Sequence, residues 1–225
     1  MSNELKRNPG ETDDDFGYRL ACESISPNQW GNNTSFRQLL DRVNLMKAPR
    51  ILELGTKRTV PHISTRHERF FPNAGEYLGT DIQTGLDVDF VADVHRLTKV
   101  TGEQAFDVLL TEAGFEHFKY PHLAAHEIMK ALKVGGLVFV QTHQTFPIHA
   151  VPYDYCRFST DALRSLFGVA MGMKVLADGY ASPAAIYSRV DPMGRKAPAF
   201  LHVNILAEKT APTPPEYIYE FDCEI

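Results

Sequence analysis

Cysteine is scarce in this sequence, and the three it has, Cys22, Cys156 and Cys223, stand far apart with no CxxC pair. That excludes a disulfide framework and a cysteine-based zinc module, and it suits a reducing compartment. A basic run is also missing: 23 Lys and Arg face 28 Asp and Glu, for a net charge of -5. Without a stripe of cations to neutralise a phosphate backbone, no nucleic-acid partner is expected. No apolar stretch approaches the roughly 20 residues of a spanning helix, and the opening MSNELKRNPGETDDDFGYRL has no signal-type apolar core. The expectation is a cytoplasmic protein with no membrane contact. Internal repeats and low-complexity tracts are absent too.

What is present is a core. With 225 residues, 44% of them hydrophobic, the chain supports one full α/β domain. The reading divides it into a helical N-terminal extension or lid (1–48), a main domain (49–210) and a proline-rich, then aromatic and acidic, tail (211–225). The tail could serve a homodimer contact or simply fray.

The organising stretch is ILELGT, residues 51–56. Ile51, Leu52 and Leu54 around Glu53 read as a buried parallel strand, and Gly55 permits a sharp turn beneath a ligand. Open α/β sheets bind nucleotides at that carboxyl end. Around it the pattern predicts one helix beginning at Asp13 and another capped by Thr34 or Ser35 and ended by Pro49. Strands are predicted over 50–54, 76–82, 88–92, 106–110, 137–141, 173–178 and 200–209, and helices over 121–132 and from Ser159 or Thr160 to 167. Gly135 and Gly136 are expected to stop the helix before the fifth strand. Alternation of strands and helices points to a doubly wound, Rossmann-like, mostly parallel seven-stranded sheet. The segment 142–158, THQTFPIHAVPYDYCRF, has no clear period and reads as a functional loop over the pocket.

The blocks ILELGT, YLGTDI, VADVHRL, FDVLLTEAGFEHF and EIMKALKVGGLVFVQT, in that order over about residues 49–209, resemble the class I S-adenosylmethionine-dependent methyltransferases, specifically the type 11 group. The resemblance implies S-adenosylmethionine as cofactor and a small-molecule acceptor. It places Glu53, Gly55 and Thr56 at the methionine end and Asp81 with Ile82 at the ribose. Asp93 and the Val94 backbone fall at the adenine, and Thr111 and Glu112 line the floor. Glu116-His117 matches a recurring Glu-His pair. One departure stands out: Lys57 and Thr59 replace the second and third glycines of the usual loop, so the loop needs a different path.

His122 and His126 share a helix face but lack a third ligand, so a solvated helix face is expected there and no metal. His143, His149 and Asp154 cluster in the segment leaving the fifth strand. Methyl transfer from a sulfonium needs alignment and removal of one proton, and a hydroxyl acceptor needs more help than an amine. The expectation is O-methylation of a small polar acceptor, a sugar or secondary metabolite. His143 would act as general base, and His149 or Asp154 would orient it or hold substrate. The rivals are an N- or carboxyl-methyltransferase, a cofactor-binding protein without turnover, and a dinucleotide oxidoreductase, for which only one fingerprint glycine is present.

Overall fold

The computed structural model describes residues 7–13, 15, 16, 19, 34–188, 190 and 197–219. The helix expected from Asp13 lies mostly outside these residues, and Cys22 and Cys223 lie wholly outside them; Cys156 is a free thiol.

Seven strands form one sheet: β1 (Arg50–Leu54), β2 (Glu76–Asp81), β3 (Phe90–Val91), β4 (Phe106–Glu112), β5 (Leu132–His143), β6 (Met173–Ile186) and β7 (Ala197–Lys209). Their spatial order is β3-β2-β1-β4-β5-β7-β6. Pairing is parallel from β3 through β5 and antiparallel where β7 inserts between β5 and β6. The doubly wound, mostly parallel sheet read from the sequence is therefore the observed one.

Side chains alternate across the sheet, as the two-residue strand period requires. Leu52, Leu54, Leu109, Val138, Val140 and Ile205 face one side, where α3 (Pro121–Ala131) and α4 (Thr160–Leu166) bury Ala125, Ile128, Met129, Leu163 and Leu166 against them. Ile51, Val108, Leu110, Phe139 and Leu206 face the other side and meet Leu39 and Val43 of α1 (Thr34–Val43). The apolar stripe of α1 thus belongs to the core. A one-turn α2 (Thr98–Thr101) lies between β3 and β4.

Several boundaries differ from expectation for physical reasons. Helix α1 stops at Val43, well before Pro49; the Asn73 amide donates to Val43 O (2.8 Å), the last carbonyl of the helix, and to Met46 O (2.9 Å) in the turn that follows. β3 shrinks to two residues because only Thr80 and Asp81 of β2 reach it. Gly135 and Gly136 do not end α3: Leu132 is already extended, and Lys209 Nζ donates to Met129 O and Leu132 O, both at 2.7 Å. β5 accordingly begins at Leu132, paired with Phe106. β6 and β7 run several residues longer than predicted because they pair with each other as one hairpin from Met173–Lys209 to Ile186–Ala197.

The helix face at His122 and His126 is covered rather than solvated. His126 is buried with Nε2 2.8 Å from Pro214 O, and Tyr217 and Tyr219 pack against His122. The described part of the tail therefore lies on its own chain, and the Tyr217 hydroxyl donates to Ser165 O at 2.7 Å. None of the described helices is long and apolar enough to cross a membrane.

Candidate active site

The carboxyl ends of β1 and β2 make the first wall. Gly55 takes φ +78, and nothing lies within 4 Å of where a Cβ would stand, so the turn is open on that side. Its N–H donates to Thr80 O at 2.8 Å, which ties the turn to β2. Thr56 is buried, and its hydroxyl donates to Asp87 O at 2.7 Å, so only its backbone is turned toward the opening. Gly79 lets Thr56 and the 82–89 loop approach: a Cβ there would stand 2.6 Å from Asp87 O.

At the end of β2, the Asp81 carboxylate accepts from the backbone N–H groups of Lys57 (3.2 Å) and Gln83 (3.0 Å). Two rigid donors aim it while leaving lone pairs for a diol. The residue that displaces the family glycine, Lys57, thus supplies one of those donors, and its ammonium pairs with Gln83. Ile82 beside it is 66% exposed. Ala92 N–H donates to Asp81 O at 3.0 Å, which sets Asp93 next along the same edge. Asp93 caps a short 3-10 turn, accepting from His95 N at 3.0 Å and lying 2.8 Å from His95 Nδ1. Burial works against its charge, but the bonds to His95 outweigh that and hold its pKa below the usual value. The open turn, the aimed Asp81 carboxylate and the exposed Ile82 fit a nucleoside with a ribose diol. Val94 opens that 3-10 turn.

An ion-pair cluster that no sequence pattern signalled lies between β1 and β4. Glu53, buried, accepts from His67 N (3.1 Å) and the Tyr77 hydroxyl (2.6 Å), and its other oxygen is 2.7 Å from His67 Nδ1. His67 Nε2 is 3.2 Å from Glu112, which also accepts from Gln141 at 3.3 Å. Burial disfavours the charged ring, yet bonds to Glu112 and Glu53 prevail and raise the His67 pKa to about 9. Both Glu53 oxygens are thereby engaged within the chain. Thr111, next to Glu112, is buried with a hydroxyl that has no partner.

A second cluster forms where β4 and β5 end. Glu116 is 0% exposed; Oε2 accepts from the Thr142 hydroxyl at 2.7 Å, and Oε1 lies 3.0 Å from His143 Nε2. Burial alone would protonate Glu116, but the His143 and Thr142 contacts reverse that and keep it ionised. His143, also buried, stacks on Phe146 with centroids 4.0 Å apart, and His149 approaches its ring edge-on at 5.2 Å. Asp154 accepts from His149 N at 2.9 Å and binds Arg157 through both oxygens. The guanidinium holds its carboxyl far below the ordinary range.

The structure thus brings His143 and His149 together, with Asp154 behind His149 and out of contact with His143. Instead of Asp154 or His149, the residue against His143 is Glu116, quoted in sequence only as half of a Glu-His pair. Arg157 was legible as an i+3 partner of Asp154; His67 and Tyr77 carried no spacing signal. Ligand atoms of Glu116, His143 and His149 fall within 4.8 Å of one another.

Residues 68–140 match a family model described as a methyltransferase domain. No curated protein matches the chain. Among solved structures, 1,6-didemethyltoxoflavin-N1-methyltransferase from Burkholderia thailandensis, with bound S-adenosylhomocysteine, aligns at TM-score 0.53 and 16% identity over 80% of each chain. YcgJ from Bacillus subtilis aligns at 0.55 and 14%, over 78% of this chain and 97% of its own. A SAM-dependent methyltransferase from Archaeoglobus fulgidus aligns at 0.53 and 13%, over 78% and 92%.

Proposed function

We propose that this chain, which matches a methyltransferase-domain model over residues 68–140 and shares its fold with solved methyltransferases, is a class I S-adenosylmethionine-dependent methyltransferase that methylates a hydroxyl of a small polar acceptor, a sugar or secondary metabolite. Bound S-adenosylmethionine supplies a methyl group already activated on a sulfonium. In this reading Asp81 holds the ribose diol with Ile82 beside it, and Asp93 and the Val94 backbone hold the adenine. The backbones of Gly55 and Thr56 let the methionine end approach, Glu53 acts there through His67, and Thr111 with Glu112 forms the floor. With it go the division into a 1–48 N-terminal extension, whose α1 packs on the sheet, and a 49–210 catalytic domain, and a cytoplasmic setting.

The observation that supports a hydroxyl acceptor is the Glu116–His143 pair. An ionised carboxylate buried against an imidazole at the carboxyl ends of β4 and β5 is an arrangement for stripping a weakly acidic proton. A neutral amine would need no such group. His143 is the residue at which the acceptor's proton is released, Glu116 fixes it, and His149, positioned by Asp154, holds the acceptor.

His143→Ala tests this. Calorimetric binding of S-adenosylmethionine should be retained, while transfer to a hydroxyl acceptor falls by about 10²- to 10⁴-fold. A rate within a few fold of wild type would remove His143 from acceptor activation and favour an amine acceptor.

A further inference from the structure

We propose that Glu116, His143 and His149 bind a first-row divalent transition cation of the zinc class. The three ligand atoms already lie within 4.8 Å of one another. Ligands at ~2.0 Å around a tetrahedral ion stand ~3.3 Å apart, so closure needs a shift of roughly 1.5 Å. His143 Nε2 and Glu116 Oε1, at 3.0 Å, are at that spacing now. The remaining movement falls on His149, the partly exposed member of the three.

One orphaned atom points to a missing ligand. Glu116 Oε1 is buried without a hydrogen-bond partner, because the approach of His143 Nε2 lacks hydrogen-bond alignment. An unpaired polar atom of this kind is rare and calls for an ion or water. The other Glu116 oxygen is pinned by Thr142, which leaves Oε1 directed at the imidazoles. A third ring, His117, stands with Nε2 3.9 Å from the same oxygen.

Support behind His149 has the form that metal sites require. His149 Nδ1 faces Pro147 O at 3.2 Å and Asp154 at 3.4 Å, which orients the ring and leaves Nε2 as the ligand atom. Asp154 is in turn clamped by Arg157, whose guanidinium is also taken by the carbonyls of Phe146, Pro147 and Cys156. Arg157 is therefore committed to the loop and is not the missing counter-charge of Glu116. Two imidazoles and one carboxylate favour zinc, cobalt or iron over magnesium and calcium, and three protein ligands leave a position open. That position could take an acceptor oxygen; only this use of the ion rests on the function proposed above.

The test is metal uptake by the full chain after chelator treatment, which requires neither cofactor nor acceptor. Titration with Co²⁺ should show one equivalent per chain, with the intense visible bands of a four-coordinate site, and Zn²⁺ should displace it while millimolar Mg²⁺ should not. Glu116→Gln and His149→Ala should each weaken uptake at least tenfold, whereas His122→Ala, on the far helix, should not. His149→Ala changes a partly exposed loop residue, and S-adenosylmethionine binding by each variant reports an intact fold. No stoichiometric uptake, uptake unchanged in His149→Ala, or displacement by Mg²⁺ would overturn the site. Stoichiometric uptake by the wild-type chain with no transfer to any hydroxyl acceptor would count against the proposed function alone.

Discussion

His67 shows how much a single side chain can decide without announcing itself. It sits in an irregular stretch with no periodicity, yet it joins Glu53 of β1 to Glu112 of β4. Its folded pKa, about 9, is raised above the ordinary 6.5. The stabilisation is therefore complete below about pH 6.5 and is lost as pH rises through 9, an effect of at most roughly 3 kcal/mol. Urea unfolding of wild type and His67→Gln should differ by that amount at pH 6 and converge at pH 10; a constant gap would mean that His67 is not charged in the folded protein. Tyr77 makes a related case, since its hydroxyl donates to the same carboxylate and burial with that charge beside it raises its own pKa strongly. Tyr77→Phe removes one donor from ionised Glu53, which should cost about 1.5–3 kcal/mol in denaturant unfolding. Asp81, at the end of β2, and Asp93, just after β3, could be located from sequence because strand boundaries fix their positions. Side chains whose partners come from distant loops could not.

Among the elements, β1 was readable to the residue because a short apolar run bounded by Pro49 and Gly55 allows only one alignment. The end of α3 was placed within one residue, but the group that ends it was not legible, because it lies 77 residues beyond Leu132. Lys209 is 2% exposed and spends its ammonium on two carbonyls at that junction. Burial lowers its pKa. Lys209→Met keeps the stem but strands both acceptors, and should lower stability by about 2–4 kcal/mol in a urea titration. Gly79 governs a second junction. Gly79→Ala would press a methyl group on Asp87 O and on the Thr56 hydroxyl. The expected result is a loss of about 1–3 kcal/mol with weakened cofactor affinity, because the loop carrying Asp87 must back away. Affinity and thermal midpoint measured together would show whether the two effects travel as one.

Taken whole, the molecule places its two candidate clusters along one edge of the sheet, with the apolar layers behind them. Asp81 is the point at which cofactor binding should be most vulnerable: Asp81→Ala is expected to reduce S-adenosylmethionine affinity by ten- to a hundred-fold in calorimetry with little change in melting temperature. An unchanged affinity would move the ribose elsewhere. The global topology was legible because alternating helices and strands leave few ways to wind a sheet. The antiparallel pair at its far edge was legible only as two strands, since their mutual pairing extends each beyond its own apolar pattern.

The position of β7 also dictates when the sheet can be finished. Synthesis delivers β5 and then β6, but the strand that separates and pairs them comes last, between residues 197 and 209. Until the ribosome has released that segment, the outer edge of β5 and all of β6 are unpaired donors and acceptors, open to pairing with other chains. A chain stopped at residue 196 should therefore be recovered largely as aggregate, whereas one stopped at 215 should be soluble and bind cofactor. For this fold, completion of the last strand is the event that commits the nascent chain to its final strand order.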